Sequence, residues 1–326
     1  MASTSKKNLI QKKSLDPVTF RVRVSAMQLA LCCISNVLAE QGHKFQTMTL
    51  TRFLSLPRAD AIRTLSDRIL NNFVVTNRII QHCADTGIAG YRLSSTLTPV
   101  IDHPDVNLRL DQLPNWSDLR AALDTIAATI KRTGVRISAH PSEFITLTST
   151  DDAAIANSIR DLTAHADLFD LLDLPLDYRS PLNIHCRQDG DPAVISARFL
   201  SNFNRLPANV RSRLVLEVND NVDGTWSISN LHKYFFVPAG IPITYDSLHR
   251  QFCNHGNDDA ADFHLAYSTW PTIPLFHYSE GIDNTRKHAM MPLNSPNNYG
   301  KPVFFDVELK GKDHAIYHIL KNANKN

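Results

Sequence analysis

The chain has 326 residues, with 34 Lys and Arg against 32 Asp and Glu, a formal net charge of +2, 43% hydrophobic residues and 20% charged ones. Those proportions describe a globular protein able to bury a large core and exclude a disordered, collagenous or strongly polyionic chain. No run reaches the ~18 apolar residues that a bilayer span needs, so no membrane partner is expected.

The first 20 residues include MASTSKKNLIQKKS, which carries four lysines and no apolar run after them. It reads as a flexible basic arm over residues 1–20 rather than a secretory signal, and residues 21–326 read as one domain. A strand is expected in RVRVSAM from Arg21, then a helix over Ala59–Asp85 that stops before Gly87, then a second strand in AGYRLSS from Ala89. Ser117 is the expected N-cap of a helix ending near Gly134, and VRISAH follows as a strand arriving at His140. A helix opened by Asp151 and Asp152 is expected to run through Leu174. Strand LNIH then reaches His185, and Pro192 sits where the first residue of another helix would lie. RLVLE ends at Glu217, PITYD at Asp246, PLFH at His277 and VFFDVE at Glu308. Segments Asn254–Tyr267 and Ile282–Gly300 are polar and are expected to be long loops on the catalytic side.

Eight strands alternating with helices imply a (β/α)8 TIM barrel. Six of the eight strands end in His, Asp or Glu, and in that fold the strand ends converge on one C-terminal mouth. The candidate metal ligands are His140, His185, Glu217, Asp246, His249, His277 and Glu308, with His103 and His288 on adjacent loops. Imidazole with carboxylate and no thiolate suits Zn or Mn. Nine ligands exceed the three or four that one zinc takes, so two or three divalent ions are implied. Three such ions would add about six positive charges and turn an acidic pocket into a phosphate site. No Gly-rich nucleotide fingerprint is present, so no nucleotide cofactor is expected. The five cysteines form no CxxC pair, which fits an intracellular, reducing compartment, and Cys186 should face away from His185.

At this density of motifs the chain resembles the ultraviolet damage endonuclease family, from about Arg21 to Leu320. The segments that carry the resemblance are YRLSSTLTPVIDHP with His103, RISAHPSEF with His140, NIHCRQDGDP with His185, LVLEVND with Glu217, TYDSLH with Asp246 and His249, PLFHYSE with His277, RKHAMM with His288, and DVELKGKD with Glu308. The resemblance implies a DNA repair endonuclease acting on damaged double-stranded DNA, and a monomer is expected. It would cleave the phosphodiester 5′ to a pyrimidine dimer, with apurinic sites and other distortions also accepted. Glu217, Asp246 and Glu308 would carry the chemistry through the ions, with Glu217 bridging them. Phe144 would wedge into the base stack beside Glu143, and Lys310 and Lys312 would meet phosphates.

The chain also departs from that family's pattern. Leu275 stands where the family has a lysine capable of carboxylation, Ser142–Glu143 replaces Gly-Gln in the lesion-probing turn, Cys186–Arg187 replaces Gly-Gly, and Arg250 follows His249 in place of a second histidine. Glu143 puts a carboxylate where DNA would approach. Two other readings compete: a metal-dependent sugar isomerase or epimerase on the same barrel, and a non-catalytic damage-binding relative that has lost an ion with the lysine.

Overall fold

The computed structural model describes residues 27–323. The expected basic arm, and all of the expected first strand except Met27, lie outside them. The first described strand, β1, is Met27–Cys32. It is followed by β2 Gly90–Leu93, β3 Arg136–Ala139, β4 Leu182–His185, β5 Leu214–Glu217, β6 Ile243–Thr244, β7 Leu275–Tyr278 and β8 Val303–Val307. All pairings are parallel in the order β6-β5-β4-β3-β2-β1-β8-β7, and a parallel bridge between Asp246 and His277 joins the two outer strands. The sheet thus closes, and the fold is the α/β TIM barrel that the strand–helix alternation implies.

The strands hold their register because each has an apolar outer face. Phe276 on β7 packs outward on Phe263 with ring centroids 5.2 Å apart, and Phe263 lies on the helix Asp259–Ser268. Close approach of β1 and β2 requires Gly90, since a Cβ there would lie 2.8 Å from the Cβ of its register partner Ala30. The helix Arg58–Asp85 buries Ala61, Leu65, Ile69, Phe73, Thr76 and Ile80, a stripe at three- and four-residue spacing. Each fully buried Leu, Ile or Phe side chain in it contributes about 1.5–3 kcal/mol. Within the stripe Asn72 gives Nδ2 to the Gln46 and Leu97 carbonyls, fixing the loop after β2.

At the opposite end of the barrel Arg136 reaches across the floor from β3. Its guanidinium donates to the carbonyls of Tyr178, Arg179 and Ile273 at 2.7–2.9 Å and lies 4.8 Å over the Phe304 ring. Burial brings its pKa down to about 10, so it stays charged at neutral pH.

Three expectations need correction. Ser117 lies inside the helix Trp116–Thr133, whose N-cap is Asn115; the helix ends at Gly134 in the left-handed region, as expected. Residues Asp259–Ser268 form a helix rather than part of a long loop, because the Asp258 side chain caps it by accepting from the Ala261 N–H. The helix capped by Asp151 ends at Leu171 rather than Leu174.

Candidate metal centre

The strand ends deliver their polar side chains to one point because alternation turns every second residue inward. On β5 this residue is Glu217, which is fully buried and central. Its Oε2 lies 3.2 Å from His140 Nε2, 3.5 Å from His185 Nε2 and 3.0 Å from His277 Nδ1, while its Oε1 lies 2.9 Å from His249 Nδ1. Asn183, two residues before His185 on β4, donates to Glu217 Oε2. Asp246 uses Oδ1 to accept the Leu248 and His249 N–H groups at 2.7 Å each, which aims Oδ2 elsewhere. Glu308, just past β8, places Oε1 3.1 Å from His277 Nδ1 and takes a hydrogen bond from Arg92 of β2.

Three groups have ligand atoms within 4.8 Å of one another: His140 with His185 and Glu217, Glu217 with Asp246 and His249, and Asp246 with His277 and Glu308. They overlap through Glu217 and Asp246. Within them Glu217 Oε1, Asp246 Oδ2, His249 Nδ1 and His277 Nδ1 are buried without a hydrogen-bond partner. Converging, unpaired buried oxygens and imidazole nitrogens cost free energy unless something positive joins them, so the residues present fit divalent ions. Backbone carbonyls assign two tautomers. His140 Nδ1 faces the Pro141 carbonyl at 3.2 Å and His288 Nδ1 faces the Glu308 carbonyl at 2.7 Å, which leaves each Nε2 free to ligate.

Electrostatics within the cluster are opposed. Burial drives His185 down to about 3. Burial also acts to lower His277, but the Glu217 and Glu308 carboxylates outweigh it and hold that ring up at about 9. Glu217 feels the same burial in the raising direction, and the imidazoles of His185 and His277 bring it well below the usual carboxylate range. Burial raises Asp246 and Asp306.

Of the nine ligands read from sequence, the structure brings seven into this network, and His288 sits at its edge with Nδ1 3.9 Å from Glu308 Oε2. His103 is held apart. Its ring accepts the Asp105 N–H at 3.2 Å and faces the Asp105 carboxylate, with the side chain 40% exposed. Sequence reading missed Arg92, Asn183 and Asp306, inward-facing polar residues below the ligands; for Asn183 and Asp306 the signal available was a polar residue two positions before a strand-ending ligand, and Arg92 carried no such signal.

The departures in the turns also find partners. Glu143 lies 3.5 Å from Arg187, so the extra carboxylate and the extra cation face each other across the loops after β3 and β4. Arg250 points away from the cluster, bound to Asp262 at 3.0 Å and to the Asn257 carbonyl. Phe144 is 84% exposed beside the mouth. Lys310 is exposed and Lys312 half-buried, and the backbone N–H of Lys310 donates to the Ala289 carbonyl. Leu275 is buried two residues before His277 and therefore shares its inward face. Cys186 is buried.

Fold and mouth together define a (β/α)8 barrel with a cluster able to hold divalent ions at its catalytic end. Residues 27–325 match the family model described as UV-endonuclease UvdE. The chain therefore belongs to that family of DNA repair endonucleases. It is 32% identical over 316 residues to a UV DNA damage endonuclease of Nostoc sp., covering 93% of this chain and 92% of that one. The Deinococcus radiodurans UV DNA damage endonuclease is 28% identical over 298 residues, covering 89% and 93%. The crystal structure of SacUVDE superposes with a TM-score of 0.76 at 25% identity, covering 92% of this chain and 98% of that one. No helix among the described residues is long and apolar enough to cross a membrane.

Proposed function

We propose that this protein is a metal-dependent endonuclease that hydrolyses damaged double-stranded DNA on the 5′ side of ultraviolet photoproducts, with abasic sites and other distortions as further substrates. The observation that carries the reading is the chain of three overlapping ligand groups, sharing Glu217 and Asp246, at the mouth of a barrel of this family. Two or three divalent ions, manganese or zinc, bound there would supply a water of lowered pKa and neutralise charge on the phosphate oxygens during in-line attack. The residues divide the remaining tasks. Glu217 is kept ionised by the surrounding imidazoles and offers both oxygens, which suits a bridging role. Asp246 holds its free oxygen toward the same space by anchoring the other one to two backbone N–H groups. Glu308 is aimed by Arg92.

Around this centre Phe144 has the exposure needed to enter a base stack, and Lys310 and Lys312 follow Glu308 where they can meet phosphates. No protein nucleophile is required. The five cysteines are all free, which supports a reducing, intracellular setting; the protein would act there as a monomer. Incubating the purified protein with irradiated and undamaged duplexes in manganese tests reaction and specificity together. The expected result is a nick 5′ to the photoproduct in the irradiated strand alone. Equal cleavage of both duplexes, or none in either, would refute the reading.

A further inference from the structure

One buried carboxylate at the centre belongs to none of the three ligand groups. Asp306 lies on β8 two residues before Glu308, is 0% exposed, and pairs in register with His277 of β7. Its Oδ2 accepts from Ser138 Oγ at 3.3 Å and lies 3.7 Å from His277 Nε2 and 3.8 Å from Arg92 Nη1. Its Oδ1 has no hydrogen-bond partner, nor does His277 Nε2. An unpaired imidazole nitrogen thus faces a carboxylate that has an unpaired oxygen, in a place closed to water.

The other nitrogen of the same ring points the opposite way. His277 Nδ1 lies 3.0 Å from Glu217 Oε2 and 3.1 Å from Glu308 Oε1, among the ligand atoms. An imidazole binds an ion through a deprotonated nitrogen, so the proton must sit on the far one, and a carboxylate there fixes tautomer and ring plane. Arg92 does not account for Asp306, because its guanidinium is already engaged more closely by Glu308. A buried carboxylate serving no cation or donor would cost more than an apolar side chain of the same size.

We infer that Asp306 is a positioning residue that holds the Nε2 proton of His277 and so presents Nδ1 to the ions. Ser138 orients it from across the barrel. The assignment rests on the metal-dependent reading, and its test does not depend on DNA cleavage.

The experiment is competition for zinc against a chromophoric chelator, with wild type, Asp306→Asn and Ser138→Ala, beside nitrogen NMR of the histidines in the zinc-loaded wild type. Asparagine keeps the shape but loses the charge. Asp306→Asn is expected to weaken the affected zinc site roughly 10–100-fold, the range for losing the outer partner of a ligating histidine. Ser138→Ala should weaken it by less, and His277 should carry its proton on Nε2, protected from exchange. Zinc affinity equal to wild type in Asp306→Asn overturns the assignment. Should that variant fail to fold, unchanged affinity in Ser138→Ala overturns it, as does a His277 protonated on Nδ1. A wild type that takes up neither zinc nor manganese overturns the metal-dependent reading and this assignment with it.

Discussion

At the centre of the mouth Glu217, Asp246 and His277 are fully buried, with the ring nitrogens of four histidines within 3.5 Å of the Glu217 oxygens. At the rim Glu143 is 63% and Phe144 84% exposed, on the loop after β3. The centre is positioned by hydrogen-bonded strands and the rim by loops. A change in sequence at the centre removes an interaction that no neighbour can replace, whereas a change at the rim is met by water or by a second change nearby. Glu143 opposite Arg187 is such a pair: two departures from the family pattern that offset each other in charge. The comparison teaches that, on the proposed reading, chemistry would rest on strand-held residues and target preference on loop residues.

The sharpest way to break it is at Glu217. Glu217→Ala is expected to lower incision ~10³-fold or more, by analogy with losing a preorganised charge-stabilising group, and to abolish retention of at least one ion. Circular dichroism should show the barrel intact. Wild-type cleavage and metal content in this variant would remove Glu217 from the bridging role.

Next come the two loop histidines, which the structure separates. His288→Ala should cost ~10-fold or more in metal affinity, because its free Nε2 adjoins the cluster. His103→Ala should leave metal content at the wild-type value, since that ring is occupied by Asp105. Elemental analysis of both variants decides; metal loss in His103→Ala would show that the loop closes over the site when ions bind.

Leu275→Lys tests whether a charge is missing beneath the centre. The new amine shares the inward face of His277, and manganese kept per chain after dialysis against a weak chelator should rise several-fold. Equal retention with all ions kept would mean that another carboxylate already fills the role. Glu280 is unsuited, being bound to the Tyr278 hydroxyl and to the Leu293 and Asn294 N–H groups at 2.6–2.8 Å.

A smaller effect is expected at the rim, where the Glu143–Arg187 pair is exposed and screened. Glu143→Gln should tighten duplex binding about 2–5-fold at low salt, and Arg187→Ala should weaken it by a similar factor. Both differences should shrink as salt rises. Titration by fluorescence anisotropy at two salt concentrations reads this out, and identical affinities for all three proteins would leave the pair without influence on DNA.

The smallest effect concerns His165, away from the cluster, whose Nδ1 lies 2.9 Å from Asp161 Oδ1. Burial acts to lower this imidazole, but the Asp161 hydrogen bond outweighs it and raises the pKa. A raised value in the folded state stabilises the protein below about pH 6.5, the usual histidine value, and that increment fades as pH rises through the raised value. His165→Ala should therefore lower Tm more at pH 5.5 than at pH 8.5 while incision stays near wild type. Melting at the two pH values checks the sign.

Much of the centre was legible because six of the strands are apolar runs arriving at a ligand-type residue, a pattern written along one stretch of chain. What was not legible depends on partners from elsewhere. Arg92, Asn183 and Asp306 looked like ordinary polar positions in alternating strands, and they acquire meaning from Glu308, Glu217 and His277 on other strands. The strand Met27–Cys32 went largely unread for a local reason. RVRVSAM has the valines of a strand, while the described strand MQLALC contains alanine and cysteine and is held by its pairing with β8 and β2. His103 carries the motif but is drawn to Asp105, a choice settled by loop geometry. The pairing of Glu143 with Arg187 spans 44 positions in the chain.

Arg136 gives the barrel a direction of traffic. By tying the lower ends of β3, β4 and β7 together and lying on Phe304, its guanidinium braces the far end beneath the packed barrel interior, which leaves the mouth as the accessible face. On the proposed reading ions and water would enter by that mouth, the same face across which a duplex would lie. A docked substrate would then become the lid of the site, and exchange of its contents would wait on the departure of the product.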